Sequence, residues 1–172
     1  YRQVMKDIQD YLINFIEKKH SVFNDFPVCP FAKKERLTNN IKYVECCFVN
    51  INVQKVVAAT NEWLQGDYST ILYIDKGSAN FIETNHFHNC VKTLLANNKV
   101  NTFIFHKENK RKFGEIYTRQ SPRPFIMAGY KNQIGKKKTQ LLKTSYYDKL
   151  NNKEYKKLNS KEKQDGKNKA GN

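Results

Sequence analysis

The chain has 172 residues, of which 31 are lysine or arginine and 16 are aspartate or glutamate, so its formal net charge is +15. This length suits one compact domain with a hydrophobic core and is too short for two ordinary domains. No run of eighteen apolar residues occurs and the first residues lack the pattern of a signal peptide, so the sequence argues against a membrane-spanning helix and predicts a soluble protein.

Hydrophobic periodicity predicts alternating helices and strands along most of the chain. An amphipathic helix over 3–19 comes first and leads into a turn that contains Cys29 between Pro27 and Pro30. Runs rich in β-branched and aromatic residues predict strands, and apolar residues at helical spacing predict the helices between them. The remaining predicted elements are, in chain order, a strand over 41–49, a helix over 53–66, a strand over 68–75, a helix over 79–98, strands over 100–106 and 125–130, and a final helix over about 137–150.

Strands separated by helices, with one possible hairpin, predict an α+β fold. We expect a two-layer sandwich in which three to four helices pack on one or both faces of an approximately four-stranded mixed sheet. Residues 1–130 would form a single domain, and residues 131–150 would contain the C-terminal helix. Because residues 131–172 hold thirteen lysines and four acidic residues, a net charge of +9, residues 151–172 are predicted to be a lysine-rich tail that is flexible or docks on a partner.

The four cysteines have no spacing typical of a disulfide framework or a zinc site. His86 and Cys90 share one face of a predicted helix, but two ligands do not hold a metal ion. We therefore expect no metal site and an intracellular, reducing compartment. No glycine-rich phosphate loop is present, so the sequence leaves any cofactor unknown.

Cys29 is the first candidate for chemistry. Pro27 and Pro30 prevent regular secondary structure around it, so a turn must position its side chain. One interpretation is a reactive thiolate whose pKa is lowered by nearby cations such as Lys33 and Arg36. The other is a small apolar side chain that fills a gap under the turn, which is the usual role of a single cysteine.

The segment YTRQSPRPF places Arg119 and Arg123 on either side of Ser121. Because two prolines restrict the backbone there, both guanidinium groups could bind one carboxylate or phosphate. Two exposed arginines in surface ion pairs are the alternative. His106 ends a predicted strand, where it could act as a general base, contact an anion or simply be solvated.

Three stretches form a pattern when they are taken together: VCPFAKKER near the start, FIFHKE in the middle and YTRQSPRPFIMAGY after it. Their order and spacing resemble a bacterial family of conserved proteins of unknown function, which carries a Cys-Pro-Phe-Ala motif, a Phe-His step at a strand end and a Tyr-Thr-x-x-Ser-Pro-x-Pro segment. The resemblance covers roughly residues 21–130. It departs from the family at Lys107, where a proline is usual, and at Gln120, where an arginine is expected. The signature positions that the resemblance implies are Cys29, Pro30, Phe31, His106, Tyr117, Ser121, Pro122 and Pro124.

The leading functional hypothesis is a pocket for an anionic small molecule, with Cys29 as nucleophile or redox thiol and His106 as base. Thiol-dependent catalysis is possible on this hypothesis, although the sequence does not decide whether the protein is an enzyme. The alternative is a non-catalytic subunit of a larger assembly, whose basic tail docks on an acidic protein surface, RNA or lipid headgroups. The side chains expected to bind the anion are Lys33, Tyr117, Arg119, Ser121 and Arg123.

Overall fold

The structure is a computed structural model that describes residues 2–150. The tail predicted over 151–172 lies outside the described residues. No helix within residues 2–150 is both long enough and apolar enough to cross a membrane. The helices of this part are α1 (Arg2–Tyr11), α2 (Ala32–Leu37), α3 (Val53–Gln65), α4 (Phe81–Leu94) and α5 (Lys131–Leu142). The strands are β1 (Lys19–His20), β2 (Phe26–Pro27), β3 (Ile41–Cys46), β4 (Thr70–Asp75), β5 (Val100–Phe105), β6 (Lys112–Phe113), β7 (Ile116–Tyr117) and β8 (Phe125–Tyr130).

A four-stranded mixed sheet, in the spatial order β3-β4-β8-β5, forms the centre of the molecule. β3 and β4 are parallel and are connected through α3, whereas β8 is antiparallel to both of its neighbours. β1 pairs with β2, and β6 with β7, in two-residue ladders. The α+β class and the four-stranded mixed sheet predicted from the sequence are confirmed, with five α-helices instead of three to four.

The two helices that follow the parallel strands begin at asparagine caps. The Asn52 side chain accepts a hydrogen bond from the Lys55 amide at the start of α3. Asn80 and Glu83 form a capping box at the start of α4. These bonds satisfy amide groups that have no partner inside the helix, so each helix begins at a defined residue.

Helices pack on both faces of the sheet. On one face, α3 and α4 pack Trp63 and Phe87 against strand residues such as Tyr73, and Phe87 also stacks on Phe48 with ring centroids 4.1 Å apart. On the opposite face, α1 packs apolar side chains such as Ile8 against β4 and β8. The sheet is therefore the middle layer, and its two faces belong to separate apolar cores.

The two terminal helices differ from their predicted bounds. The first is α-helical only to Tyr11 and continues as a π-helical turn over Leu12–Ile16. The last starts at Lys131, directly after β8, and a 3-10 turn over Ser145–Tyr147 follows it. A Cβ atom at Gly129 would lie 3.4 Å from the Cδ1 atom of Ile134. α5 therefore packs against the end of the sheet at ordinary van der Waals distance.

Candidate functional site

A cavity of about 370 Å³ lies on the α1 face of the sheet. Its floor includes Ile41 and Thr70 at the starts of β3 and β4, and Gly129 near the end of β8. Its walls come from the π-helical turn, the Cys29 turn, α2, α5 and the 3-10 turn. Most of the lining is apolar, and a mostly apolar cavity with few polar groups is typical of a small-molecule site. Further apolar side chains of the floor are Leu72, Phe103, Phe105, Phe125 and Met127.

Cys29 lines this cavity, and backbone hydrogen bonds fix its position. Its amide donates to the Ile16 carbonyl at 3.1 Å, and its carbonyl accepts from the Ala32 amide at 3.2 Å. Burial raises the pKa of the Cys29 thiol, and this effect exceeds the opposing effects of the Phe31 and Ala32 amides and of Lys137. The expectation of a lowered thiol pKa is therefore wrong, and the side chain is a neutral thiol at neutral pH.

Lys33, which we expected to help lower that pKa and to bind the anion, is exposed on α2. It is not among the residues that line the cavity. The structure therefore does not bring Lys33 and Cys29 together in one site.

Arg119 is the second predicted site residue that lines the cavity. Its Cζ atom lies 4.7 Å from the centroid of the Phe103 ring. No side-chain or backbone oxygen of residues 2–150 accepts a hydrogen bond from its guanidinium group. Burial, with the charge of Arg111 as a smaller cause, lowers the pKa of Arg119 to about 10. The group is therefore still a cation at neutral pH, and it lies in a mostly apolar cavity where no acidic side chain of residues 2–150 pairs with it.

Buried polar residues build the loop that carries Arg119. The His106 amide donates to the Arg119 carbonyl at 3.1 Å, and the Asn109 side chain donates to the Ile104 carbonyl at 3.0 Å. Ser121 is fully buried, and its hydroxyl donates to the Arg123 carbonyl at 2.7 Å. These bonds explain why a long polar segment between β5 and β8 adopts a defined conformation.

His106 lies on the other face of the sheet from Cys29. Its Nε2 atom is 3.1 Å from the Ala79 carbonyl, and its Nδ1 atom accepts a hydrogen bond from the Glu108 amide at 3.1 Å. Because Nδ1 accepts this hydrogen bond, Nε2 is the nitrogen that donates to the Ala79 carbonyl. Both nitrogens are occupied and the ring is 1% exposed, so His106 is not positioned to take a proton from Cys29.

Arg123 does not line the cavity either. Its Nη2 and Nε atoms lie 2.7 and 3.0 Å from Oδ2 of Asp7, and its Nη1 atom donates to the carbonyls of Asp75 and Gly77. The guanidinium group holds the pKa of Asp7 below its ordinary value. The two arginines therefore do not form a shared clamp, because Arg123 ties α1 to the end of β4.

The two remaining predicted anion contacts have other surroundings. Ser121 is part of the buried turn described above. Tyr117 is 37% exposed, and its ring lies under the ammonium group of Lys112, with Nζ 4.5 Å from the ring centroid. Neither residue lines the cavity.

The sequence did not predict a polar network that lies at the edge of the cavity opposite Arg119. Lys137 of α5 donates to Oε1 of Glu35 at 2.6 Å, and the Ser69 hydroxyl donates to Oε2 at 2.5 Å. Burial alone would raise the pKa of Glu35, but the hydrogen bonds from Lys137 and Ser69 lower it below its ordinary value. Lys137 and Glu35 neutralise each other and lie 102 residues apart, so no local pattern signals their pairing.

Tyr146 closes the cavity on the side of the Cys29 turn. Its hydroxyl donates to the Val28 carbonyl, and its ring stacks on Phe23 with centroids 4.8 Å apart. Burial raises the pKa of Tyr146, so the hydroxyl stays protonated and can donate.

Comparisons of the chain with protein-family models, curated proteins and solved structures give no match. The bacterial family suggested by three motifs therefore stays a prediction. Residues 2–150 contain no group of three or more histidine, cysteine, aspartate or glutamate side chains that could hold a metal ion. Any functional conclusion thus depends on the residues of the cavity itself.

Proposed function

We propose that the protein binds a small amphipathic anion in this cavity, with Arg119 as the counter-charge. The ligand has an apolar body and one carboxylate group. The observation that carries this proposal is the guanidinium group of Arg119, which lies at the wall of an apolar cavity without an acceptor among residues 2–150. A cation removed from water without a partner destabilises the fold, and such groups are frequent at functional sites.

The contact with Phe103 leaves hydrogen-bonding capacity on Arg119. A ring face stabilises a cation through its quadrupole, but it accepts no ordinary N–H hydrogen bond. The N–H groups of the guanidinium edge are therefore available to an anion. A carboxylate matches this edge, since both groups are planar and two parallel hydrogen bonds can form between them.

The rest of the cavity favours an apolar ligand body. The floor is built from side chains such as Leu72, Phe125 and Met127. At the far edge, the charges of Lys137 and Glu35 are already paired. A second charge on the ligand would have no partner on the floor, so a single carboxylate fits better than a dianion.

Cys29 contributes to the lining and not to an acid-base pair in this proposal. Its thiol is neutral, and His106 lies across the sheet with both ring nitrogens hydrogen-bonded. Thiol-dependent catalysis that uses His106 as the base is therefore not part of the proposed function. The anion-binding part of the hypothesis from the sequence remains. Arg119 alone now binds the anion, where the sequence had suggested Arg119 together with Arg123.

The test is the binding of dodecanoate, measured by isothermal titration calorimetry with the full chain. We expect dodecanoate to bind, and Arg119→Met to weaken it by about 10-fold to 150-fold, because hydrogen bonds between charged groups contribute about 1.5–3 kcal/mol. Dodecan-1-ol has the same chain and no charge. Its weaker binding should not change with this substitution.

Arg2→Met is the matched control, because Arg2 is exposed at the start of α1 and does not line the cavity. It should leave dodecanoate affinity unchanged. The proposal is wrong if the native chain does not bind dodecanoate, or if Arg119→Met and Arg2→Met have the same effect.

A further inference from the structure

An exposed surface beside the cavity carries lysines without acidic partners. We call it the basic face, and it consists of α2 and α5. Residues 131–147 contain five lysines and no acidic residue. Within residues 2–150, no aspartate or glutamate forms an ion pair with the lysines that define this face. They are Lys33, Lys34, Lys131, Lys136 and Lys143, and all five are exposed.

α2 and α5 form one continuous surface because contacts join them. Lys137 of α5 pairs with Glu35 of α2, and its ammonium group lies 5.6 Å from the centroid of the Phe31 ring. The other charged residue of α2 that could bind an anion, Arg36, pairs with Glu17 at 2.7 Å. Pairing thus removes the acidic charge of α2 and leaves an uncompensated positive charge on the basic face.

Two leucines are exposed where these helices end. Leu37 is the last residue of α2 and is 62% exposed, and Leu142 is the last residue of α5 and is 40% exposed. Lysines together with exposed apolar side chains are typical of helices that lie on an anionic bilayer, where lysines contact headgroups and apolar side chains enter the acyl boundary.

We propose that the basic face docks on an anionic lipid bilayer, from which the ligand enters the cavity. This inference rests on the proposed function, since an amphipathic carboxylate partitions into bilayers. The cavity reaches the surface between α2 and α5, where its lining side chains Glu35 and Lys137 are partly exposed. An RNA or an acidic protein would match the charge of this face, but neither would supply a ligand of this kind or contact the exposed leucines.

The experiment is flotation of the full chain with lipid vesicles. One set consists of phosphatidylcholine, and the other is an equal mixture of phosphatidylcholine and phosphatidylserine. The chain should bind only the mixed vesicles, and binding should weaken as salt is added. The double substitution Lys136→Glu/Lys143→Glu should weaken binding by at least about tenfold, since each reversal replaces an attraction to the headgroups with a repulsion.

Lys55→Glu/Lys92→Glu is the matched control. Both residues are exposed, and they lie on α3 and α4 on the other side of the sheet. The control changes the net charge by the same amount and should retain vesicle binding. An equal loss of vesicle binding for the two double substitutions would overturn the proposal, since net charge or the tail would then account for binding. Absence of binding to the mixed vesicles would also overturn the proposal. The same holds if the native chain binds RNA and not vesicles, and Lys136→Glu/Lys143→Glu removes the RNA binding.

Dodecanoate titration without vesicles separates this inference from the proposed function. Lys136→Glu/Lys143→Glu should bind dodecanoate in solution as the native chain does. Dodecanoate binding together with a failure to bind mixed vesicles would leave the cavity proposal in place and overturn the docking surface. A chain that binds the vesicles but not dodecanoate would overturn entry of the ligand from the bilayer.

Discussion

Arg119 and Arg123 show how one residue type reaches two different environments within five positions. The hydroxyl of Ser121 donates to the Arg123 carbonyl and reverses the chain between the two arginines. Arg123 donates hydrogen bonds to Asp7 and two carbonyls, whereas Arg119 lines the cavity over the Phe103 ring and pairs with no acidic side chain of residues 2–150. A structural arginine is fully hydrogen-bonded, so the unpaired Arg119 is the one suited to a ligand.

Arg119→Met should stabilise the ligand-free protein, by about 1 kcal/mol, because replacing an unpaired, partly buried charge with an apolar side chain of similar length removes a desolvation penalty. The folded pKa of Arg119, about 10, lies below its ordinary value. The penalty is thus present in full at neutral pH and is lost progressively as pH rises from about 10 towards the ordinary pKa of arginine. Urea unfolding at neutral pH measures this change.

Arg2→Met again serves as the control and should change the free energy of unfolding by less than about 0.5 kcal/mol, as expected for an exposed site. A lower free energy of unfolding for Arg119→Met than for the native chain would contradict the interpretation. It would mean that Arg119 stabilises the fold by itself.

At this scale the sequence identified Cys29 and Arg119 as site residues because both lie within three residues of a proline in segments without a regular period. It could not separate Arg119 from Arg123, since their surroundings depend on Asp7, which lies 116 residues from Arg123. Lys137 was missed for the same reason. Its position in a run of lysines is typical of a solvated face.

The elements show what the residues of the three motifs do in the fold. His106, Asn109, Thr118 and Ser121 are all buried, and their hydrogen bonds hold the loop between β5 and β8. The Phe-His step and the Ser-Pro segment are therefore parts of one support for Arg119. Polar residues in loops suggest a binding site in a sequence, but the same residue types also satisfy buried backbone groups.

The attachment of α1 to the sheet should weaken in acid. Asp7 pairs with Arg123, which holds the pKa of the carboxyl below its ordinary value of 3.8. The stabilisation is thus complete above that value and is lost as pH falls through the folded pKa. Asp7→Asn should lower the free energy of unfolding by about 1–2 kcal/mol at neutral pH, and this difference should shrink in acid.

Urea unfolding at neutral and acidic pH tests this dependence, with Asp10→Asn as the control. Asp10 is exposed on the same helix and makes no ion pair with any residue of the described range. Its substitution should have little effect at either pH. A constant difference between Asp7→Asn and the native chain across pH would refute the role of the ion pair.

Most elements were predictable because their signals are local. The β-branched and aromatic runs of β4 and β8 form strands in the structure, and the segments with helical spacing form α3 and α4. α5 starts earlier than predicted, because Lys131–Gly135 has no apolar period and is helical only in contact with the sheet end at Gly129. The π-helical turn after Tyr11 likewise could not be predicted from the sequence, since its apolar residues keep the spacing of an α-helix.

At the scale of the whole molecule, the cavity is assembled from segments that are far apart in the sequence. The sheet gives the floor, whereas residues 12–16, 28–35 and 133–147 give the walls. The cavity could not be predicted from the sequence because such contacts leave no local pattern. Only the apolar character of each wall segment was visible.

Two truncations test whether the C-terminal wall is required. A chain that ends at Leu150 should fold and bind dodecanoate as the full chain does. A chain that ends at Thr144 loses Tyr146, whose ring is buried and whose hydroxyl binds the Val28 carbonyl. We expect its free energy of unfolding to fall by about 3 kcal/mol, the usual cost of removing a buried aromatic side chain, and its dodecanoate affinity to fall as well.

Thermal and urea unfolding of both truncated chains, followed by calorimetric titration, give the comparison. The result that would contradict this expectation is tight dodecanoate binding by the chain that ends at Thr144. The cavity would then be complete without the 3-10 turn.

The hydrogen bond from Tyr146 to the Val28 carbonyl spans 118 residues, and this has a consequence for synthesis. Val28 leaves the ribosome long before Tyr146 does, so a nascent chain can form the sheet while one wall of the cavity is still absent. The aromatic floor around Phe103 is then open to water and to other hydrophobic molecules. A growing chain therefore has no closed cavity, and binding competence is acquired only as the last wall docks.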